Sequence, residues 1–391
     1  MSIAHCSDER AATPWRERWL GLRNRLIADP RFQRWAAASP LTRMIARRRA
    51  RSLFDLCAGF VYSQTLLACV RLNLFEILAE GPRSVAKLSI LLGLSPDSTA
   101  RLMRAAASLR LVLPLPGERY ALADLGASML GNPSIAAFVD HHALLYDDLR
   151  DPVALLRGET RSRLSEFWPY AADRPGPQQG GVNEAANGGS AVSWRGYSEL
   201  MAKTQPLIVQ DILGAYPLAS HKRLLDVGGG DGTFVAAAAA HAPRLALGLF
   251  DLPPVAALAR AKLAAVGLAS RVDIAEGSFL ADPLPPGAEL ISLVRILHDH
   301  DDESAKVALR ACHAALPKRG TLLVAEPMAD TPGAAPMGDA YFGFYLLAMG
   351  RGRGRTAPEL RRLLQTCGFG EIREIRTARP LLVRIMIGRR V

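Results

Sequence analysis

The chain has 391 residues, of which 49% are apolar and 22% are charged. That length is enough for two domains with well-buried cores, and the composition is that of a globular protein rather than a disordered one. The formal net charge of +11 is uneven, because eleven arginines and only two acids lie between Trp15 and Arg51. The remainder of the chain is close to neutral.

Residues 1–52 are therefore predicted to form a basic arm. Three tryptophans, Trp15, Trp19 and Trp35, are interleaved with its arginines. This pattern leaves three interpretations open: a solvated helical face, an anchor on an anionic membrane surface, or a nucleic-acid contact. Tryptophan and arginine together suit the headgroup layer of a bilayer, so peripheral contact with a membrane surface is one candidate role.

The cysteines and the apolar segments indicate a cellular setting. The five cysteines, at positions 6, 57, 69, 312 and 367, form no C-x-x-C pair. With no secretory segment evident, this predicts a reducing, cytoplasmic location, peripheral on the inner membrane face if the arm contacts lipid. Arginines interrupt the apolar stretches of the first 50 residues, and no 18-residue apolar run follows, so we predict no membrane-spanning helix.

After the arm, residues 53–80 fit one long apolar helix. Residues 84–113 then predict a helix, a turn at Gly93 and a second helix, and residues 111–122 predict a hairpin. A helix-turn-helix followed by a hairpin is a winged-helix arrangement. The second helix offers only Arg101 and Arg104 to a base edge, so the sequence favours a structural, dimer-forming winged helix over a DNA-binding regulator.

Residues 174–192 are rich in Gly, Pro, Asn and Gln, which predicts a mobile loop. We place a domain boundary near residue 205. The chain would then comprise the arm (1–52), a helical winged-helix dimerisation domain (53–205) and an α/β catalytic domain (206–391).

The segment RLLDVGGGDGTF, which begins at Arg223, is the most informative one. The apolar pair Leu224-Leu225 is followed by an acid, Asp226. Gly228, Gly230 and Gly232 come next and lead into an alanine-rich helix. A glycine turn at a helix N-terminus brings bare backbone N–H groups close to a ligand. The next apolar strand ends at Asp251, where an acid can accept hydrogen bonds from ribose hydroxyls. The pattern predicts a nucleoside-containing cofactor.

The glycine spacing narrows the choice of cofactor. No G-x-x-x-x-G-K-[ST] motif is present, and the nicotinamide fingerprint fits imperfectly because its last position is Thr233. A turn opened by one acid, with a second acid after the next strand, suits a ligand that has an ammonium group and no pyrophosphate. This resembles the first two motifs of class I S-adenosylmethionine-dependent methyltransferases.

Strands and helices alternate through the C-terminal half, which predicts a parallel, doubly wound sheet. A short turn near Arg379 joins the last two strands, which must therefore be antiparallel. The predicted strands cover residues 223–227, 246–250, 272–275, 289–295, 321–325, 371–377 and 382–387.

The strand LISLVRIL leads to His298 at the carboxyl edge of this sheet, where open α/β folds bind ligands. A histidine there can act as a general base for a hydroxyl group. Glu326 ends the next strand and is the predicted partner that orients the imidazole, about 5 Å away across adjacent strands. Asp301 and Asp302 are predicted to cap the following helix rather than to bind a metal.

These motifs, together with GSFLADPLP, RILHDHDDE and a late GRGRT…CGF, resemble the plant-type O-methyltransferase family and its bacterial relatives over residues 50–391. The resemblance implies a Rossmann-like domain with an antiparallel last strand, a homodimer, S-adenosylmethionine as cofactor, and no metal or nucleic acid. It also implies that His298 and Glu326 are catalytic, and that the cofactor contacts Asp226, Gly228, Gly230, Asp251, Leu252, Gly277, Ser278, Phe279 and Arg295.

Two positions depart from the pattern of that family. Gly354 stands where plant members carry a second orienting glutamate, and Ser278 stands where an aspartate usually contacts the adenine. The first departure weakens the case for a base held by two carboxylates. The second leaves adenine recognition possible, because a hydroxyl can also accept a hydrogen bond.

Several segments, among them FWPYA and YFGFYLLAMGRGRGRT, resemble the bacterial branch of the family that acts on carotenoids. This implies methylation of a tertiary hydroxyl on a long acyclic carotenoid. A bacteriochlorophyll precursor or a polyketide hydroxyl is the alternative acceptor. The residues expected to line the substrate site are Met201, Tyr341, Phe344 and Tyr345.

Overall fold

The computed structural model describes residues 14–167 and 204–391. Met201 and the predicted loop at 174–192 lie outside the described residues. The chain divides into two compact units, one ending at Asp124 and the other beginning at Leu125. The predicted boundaries near residues 52 and 205 stay predictions.

The basic arm is helical in the first unit. The helices through residue 79 are α1 (Pro14–Ala28), α2 (Pro30–Ala38), α3 (Arg43–Arg71) and α4 (Leu74–Ala79). The Asp29 carboxylate caps α2 by accepting the Arg31 backbone N–H. The prediction of one helix over 53–80 was wrong at both ends. Helix α3 starts inside the arm, and Asn73, in the left-handed conformation at φ 51°, separates it from α4.

Helix α3 also bears on the prediction that no helix spans a membrane, which stays a prediction. Its 29 residues are long and apolar enough, by length and composition alone, to cross a membrane. No unbroken apolar run exists there, because polar residues such as Asp55 and Gln64 interrupt it, yet the average over the window is high. Near its C-terminal end, Leu67 and Cys69 are buried.

The predicted helix, turn, helix and hairpin follow. They are β1 (Arg83–Ser84), α5 (Val85–Leu92), α6 (Pro96–Ser108), β2 (Val112–Leu115) and β3 (Arg119–Leu122). The side chains of Ser84 and Ser95 cap the two helices, and Gly93 ends α5 in the left-handed conformation. The strands form an antiparallel sheet of order β1-β3-β2.

The second unit begins with helices and continues into the α/β region. Its helices are α7 (Asp124–Leu130), α8 (Pro133–Asp148), α9 (Pro152–Arg157), α10 (Arg163–Phe167), α11 (Pro206–Ala215), α12 (Thr233–His241), α13 (Pro253–Ala265), α14 (Asp302–Ala315), α15 (Phe342–Met349) and α16 (Ala357–Thr366). A π-helical turn, Pro336–Tyr341, leads directly into α15.

The predicted sheet is present, with seven strands in the order β6-β5-β4-β7-β8-β10-β9. Its strands are β4 (Arg223–Val227), β5 (Ala246–Asp251), β6 (Val272–Glu276), β7 (Leu290–Val294), β8 (Thr321–Glu326), β9 (Phe369–Ile375) and β10 (Arg384–Arg390). The pairs among β4 to β8 are parallel. The last strand, β10, is antiparallel to both β8 and β9, as predicted.

Both faces of this sheet are covered by apolar cores. On one face Leu224 and Leu247 pack with Phe234 of α12, and on the other Leu225 and Leu322 pack with residues of α14 and α16. Strands buried on both faces read as continuous apolar runs. This is why the sequence marked them, and why the polar residues at their carboxyl ends meet at one edge.

Candidate active site

The glycine turn after β4 leaves its backbone uncovered. Gly228, Gly230 and Gly232 all have positive φ, a region that side chains disfavour. A Cβ at Gly228 would overlap the Ile296 side chain, so only glycine fits there. At Gly230 the space beside the Cα is open within 4 Å, which leaves room for a ligand against the chain.

Asp251 is fixed at the end of β5 by two backbone groups. Gly230 N–H donates to one carboxylate oxygen at 2.8 Å, and Leu252 N–H donates to the other at 2.7 Å. Burial raises the pKa of Asp251 to about 6, although both hydrogen bonds oppose that shift. Each oxygen retains acceptor capacity, so the carboxylate can receive two hydroxyl donors from a ribose.

Asp226 was predicted to contact the cofactor, and its side chain is almost fully buried. The Ser292 hydroxyl donates to its Oδ1 at 2.6 Å, and its Oδ2 has no hydrogen-bond partner among the described residues. Burial is the main reason that the pKa of Asp226 is raised to about 7. An unsatisfied buried carboxylate oxygen suits a cationic donor, which is the chemistry of an ammonium group.

Seven of the nine predicted cofactor residues surround one cavity of about 220 Å³. They are Gly228, Gly230, Asp251, Leu252, Gly277, Ser278 and Phe279, and the remaining walls come from Val255, Leu280, Ile296, Asp299, His300 and Arg351. We call this space the polar cavity. These walls fit a nucleoside, because they combine Asp251, an acid that can accept hydrogen bonds from ribose hydroxyls, with the aromatic side chain of Phe279. The Ser278 hydroxyl also accepts the Leu280 N–H at 3.3 Å.

His298 follows β7 in a short 3₁₀ turn, Leu297–Asp299, and is 5% exposed. Its Nδ1 lies 3.6 Å from Glu326 Oε1, and the same oxygen accepts the His298 backbone N–H at 3.1 Å. The Nδ1 contact is an ion-pair distance rather than a hydrogen bond. Adjacent parallel strands thus bring the predicted base and the predicted orienting acid together.

A second carboxylate contact was not predicted. His298 Nε2 lies 3.1 Å from Asp299 Oδ1. Burial alone lowers the pKa of the imidazole, but Asp299 and Glu326 raise it more, so the net pKa shift is upward. The sequence HDHDD contains this acid, but neighbouring residues usually point in different directions, and the tight turn was not foreseen.

The loop that carries His298 is held from behind by Arg355, which is 2% exposed. Its guanidinium donates to the Leu297 carbonyl at 2.6 Å, the His300 carbonyl at 2.8 Å and the Asp302 carboxylate at 2.9 Å. Sequence reasoning missed this residue, although the GRGRT motif contains it. Asp302 therefore pairs with arginine, whereas Asp301 caps α14 as predicted.

The loop at residues 350–355 packs tightly against the turn that carries His298. Arg353 N–H donates to the His298 carbonyl at 2.9 Å, and a Cβ at Gly352 would overlap that carbonyl oxygen. Gly354, at the position of the family's second glutamate, lies 3.6–3.7 Å, measured from an added Cβ, from Gly338 and Ala329.

A second, apolar cavity of about 340 Å³ is lined by Ser134, Ile135, Phe138, His142, Thr204, Leu207, Ile208, Arg295, Pro327, Met337, Tyr341, Phe342, Leu381 and Leu382. Tyr341, one of the residues predicted to line the substrate site, lies on its wall. Phe344 and Tyr345 do not line this cavity, and both pack, together with Tyr341, in a core cluster with Leu145 and Leu164. Arg295 lines this cavity rather than the polar one, and its Nη1 donates to Thr204 at 3.0 Å.

Two histidine–tyrosine pairs were also missed, and one of them, His142–Tyr341, lies on the wall of the apolar cavity. His142 Nε2 lies 2.8 Å from the Tyr341 hydroxyl, and His141 Nε2 lies 2.8 Å from the Tyr345 hydroxyl. Burial lowers the pKa of each histidine to about 4, so both are neutral near pH 7. The adjacent histidines in the sequence were the available signal.

His298 lines neither cavity but lies close to one wall residue of each. Its ring is 6.3 Å from that of Phe342, which lines the apolar cavity, and its Nε2 contacts Asp299, which lines the polar cavity. A buried base close to both a nucleoside-type site and an apolar site can take a proton from a substrate as a group is transferred to it.

Two protein families match the chain. An O-methyltransferase domain matches residues 146–370, and an O-methyltransferase dimerisation domain matches residues 54–132. The chain belongs to the O-methyltransferase family. It is an enzyme of the methyltransferase class, and the dimerisation domain supports a homodimer.

Two relatives are demethylspheroidene O-methyltransferases. That of Cereibacter sphaeroides is 42% identical over 358 residues, 91% of this chain and 91% of the relative. That of Rhodobacter capsulatus is 40% identical over 349 residues, 89% and 84% of the two chains. Human N-acetylserotonin methyltransferase in complex with SAM shares the fold with a TM-score of 0.71 at 23% identity, covering 88% of this chain and 97% of that one.

Proposed function

We propose that this O-methyltransferase transfers a methyl group from S-adenosylmethionine to a hydroxyl group of an acyclic carotenoid. The observation that carries the proposal is a buried imidazole that lies close to a wall residue of a nucleoside-type cavity, Asp299, and to a wall residue of an apolar cavity, Phe342. The relatives named demethylspheroidene O-methyltransferase, at 40–42% identity over most of the chain, support this acceptor class.

The bound cofactor would supply an electrophilic methyl group on a sulfonium sulfur. Gly228 and Gly230 would lie against it, and Asp251 would accept hydrogen bonds from the ribose hydroxyls. The unsatisfied carboxylate oxygen of Asp226 supports a position for the cofactor's cationic amino group near the glycine turn. Phe279, on the wall of the polar cavity, is placed to cover an adenine ring.

His298 removes the hydroxyl proton of the acceptor in this proposal, and Nε2 is the nitrogen that takes it. Glu326, beside Nδ1, favours the neutral tautomer with its proton on Nδ1. The Nε2 lone pair of that tautomer faces Asp299 Oδ1 at 3.1 Å, so the acceptor hydroxyl would have to displace this contact to reach Nε2. Asp299 then stabilises the protonated ring. Removing the proton as the oxygen attacks lowers the barrier because no free oxonium has to form.

The lining of the acceptor cavity supports an apolar substrate. Its walls are mostly aromatic and aliphatic, and the polar side chains at the His142–Tyr341 pair are neutral near pH 7. A polyene with a single hydroxyl would bury its hydrocarbon there and present its oxygen toward His298. A more polar polyketide would leave several hydrogen-bonding groups unsatisfied.

Competing acceptors test the proposal. The purified protein, with methyl-labelled S-adenosylmethionine, is offered a hydroxylated acyclic carotenoid, a bacteriochlorophyll precursor and a hydroxynaphthoate, each in detergent micelles. We expect label to enter the carotenoid with the largest kcat/KM, by at least tenfold. Label preference for either of the other compounds would overturn the acceptor assignment but not the chemistry. Failure to retain the cofactor in equilibrium dialysis would overturn both.

A further inference from the structure

Helix α1 carries an exposed apolar stripe. Trp15, Trp19, Leu22 and Leu26 are 68%, 56%, 68% and 50% exposed. At about 100° per residue these four positions fall within an arc of about 60° on the helix surface. Large apolar side chains that line up in this way and stay uncovered mark a binding surface rather than a core face.

Arginines border this stripe on both sides. By the same rotation, Arg16 and Arg23 lie together on one flank, and Arg18 and Arg25 lie on the other. The opposite side of α1 carries Glu17, which keeps the acid away from the stripe. Flanking arginines can extend their charged ends outward while their stems cover apolar surface. The helix surface therefore has an apolar stripe that is bordered by arginines on both sides.

The same character continues into the next helices. Trp35 of α2 is 57% exposed, and the exposed run Arg47, Arg48 and Arg49 lies on α3. Residues 15–51 thus carry a net charge of +9, out of +11 for the whole chain. This excess of charge repels a second copy of the arm, and the near-neutral remainder of the chain offers it little complementary charge.

The dimerisation domain does not account for the arm either. Its match covers residues 54–132, so α1 and α2 lie before it, whereas the exposed apolar residues Leu56 and Phe60 of α3 lie within it. The partner of the arm must supply negative charge along two edges and an apolar layer between them. An anionic lipid bilayer has that arrangement, with phosphates above an acyl-chain boundary.

We propose that α1, continued by the basic surface of α2 and the start of α3, docks on the surface of an anionic lipid bilayer. The tryptophan and leucine stripe lies at the headgroup–acyl boundary, and the arginines contact lipid phosphates. The helix lies in the plane of the surface and does not cross it. The inference rests on the residues of the arm and holds for any acceptor, although a substrate dissolved in lipid would give such docking a purpose.

Vesicle flotation of the full-length protein tests this docking. Vesicles of phosphatidylcholine alone are compared with vesicles that also contain phosphatidylglycerol. We expect binding to the anionic vesicles only, and weaker binding as salt is raised. The double variant Arg18→Gln/Arg25→Gln should bind roughly tenfold to thirtyfold more weakly. The matched control Arg101→Gln/Arg104→Gln removes two exposed arginines of α6 and should stay within about twofold of wild type.

A second variant tests the apolar stripe. Trp19→Gln/Leu22→Gln keeps the charge, so it should still be recruited at low salt but lose the binding that persists at high salt. Circular dichroism and thermal unfolding establish that each variant is folded. Equal vesicle binding by the arm and control variants would overturn the proposal. So would an arm variant that dissociates into monomers while its vesicle binding is unchanged, because the arm would then be a contact between copies.

The outcome is separable from the proposed function. Turnover of a carotenoid presented in detergent micelles should be the same for wild type and all arm variants. If the wild-type protein methylates none of the offered acceptors, the proposed function is contradicted, but the vesicle-binding result is unaffected.

Discussion

His298, the proposed base, lies in surroundings that favour its protonated form. Asp299 and Glu326 lie near its two ring nitrogens, at 3.1 Å and 3.6 Å. This arrangement stabilises the imidazolium that proton transfer would create, more than it raises the reactivity of the neutral ring.

Replacing His298 by alanine should lower kcat by about 10²–10⁴-fold, the usual contribution of a general base. The cofactor affinity should change little, because His298 does not line the polar cavity. Single-turnover methyl transfer and calorimetric titration of the cofactor measure the two quantities separately. An unchanged kcat would remove His298 from the mechanism, and a lost cofactor affinity would mean that the site had collapsed.

Asp251 should make cofactor binding depend on pH. Its pKa is raised to about 6, so the carboxylate is protonated, and loses acceptor strength, as the pH falls through that value. The cofactor dissociation constant should therefore rise about tenfold per pH unit below about 6, with only the shallower dependence of Asp226 near pH 7 above it. Titrations between pH 5 and pH 8 check the slope.

The Asp251→Asn variant is the control for that assignment. At pH 8 it should bind the cofactor roughly tenfold to a hundredfold more weakly, since a charged acceptor is lost. Its affinity should no longer step near pH 6. A shallower dependence near pH 7 should remain, because Asp226 still titrates there. Persistence of the step near pH 6 would assign it to another group.

Among the secondary-structure elements, the turn that carries His298 depends on the loop at residues 350–355. Arg355 bonds two carbonyls, one on each side of His298, and a carboxylate at the same time. Lysine lacks the planar fork of donors that this requires. Arg355→Lys should lower kcat about tenfold to a hundredfold through misplacement of the base.

Arg353→Lys is the matched control for Arg355→Lys. Arg353 is also paired with Asp302, but its side chain is half-exposed and its second partner is Glu359. This variant should keep kcat within about threefold. Partial recovery of the activity of Arg355→Ala by added guanidinium would show that the missing group acts by holding the loop. Equal losses in the two lysine variants would contradict this positioning role.

Gly352 tests the close approach of the two loops. It has φ 85°, and an added Cβ would overlap the His298 carbonyl oxygen. Gly352→Ala should lower the free energy of unfolding by about 1–3 kcal/mol and reduce turnover. Gly354→Ala, whose Cβ would meet only ordinary contacts, should do neither. Denaturant unfolding and steady-state kinetics on both variants decide the matter.

The sequence predicted the sheet well, because of where its strands lie. Strand 321–326 is buried along its whole length and reads as an apolar run that ends in Glu326, and strand 223–227 has Leu224 and Leu225 before Asp226. The same logic placed Asp251, His298 and Glu326 at one edge. Seven of the proposed cofactor residues meet in one cavity because they lie at or just after the ends of three neighbouring parallel strands, β4, β5 and β6.

What sequence reasoning missed depends on contacts between distant segments. Arg355 reaches its partners from more than 50 residues away, and no periodicity marks it. The break at Asn73 was missed because apolar residues continue on both sides of it. Phe344 packs in a core cluster and Arg295 lines the apolar cavity, and a sequence pattern could not place either, because it does not fix which neighbours a side chain meets.

At the scale of the whole molecule, helix α3 has two different exposed surfaces. Its start is basic, whereas further along Leu53, Leu56 and Phe60 are 65%, 80% and 66% exposed and recur at helical spacing on one face. Leu56 and Phe60 lie within the dimerisation domain. An apolar face of this size on a family member that dimerises is best explained as part of the contact between copies.

Leu56→Glu should therefore weaken the homodimer. In a symmetric interface the substitution occurs twice, so two carboxylates would lose water without gaining partners, and the dissociation constant should rise by at least about a hundredfold. Sedimentation velocity over a dilution series measures this. Val266→Glu, at a 57% exposed apolar position in the second unit, is the control and should leave the dimer intact. If Leu56→Glu sediments as wild type, the apolar face of α3 lies outside the dimer contact. Its exposure would then call for a partner other than the anionic bilayer proposed for the arm.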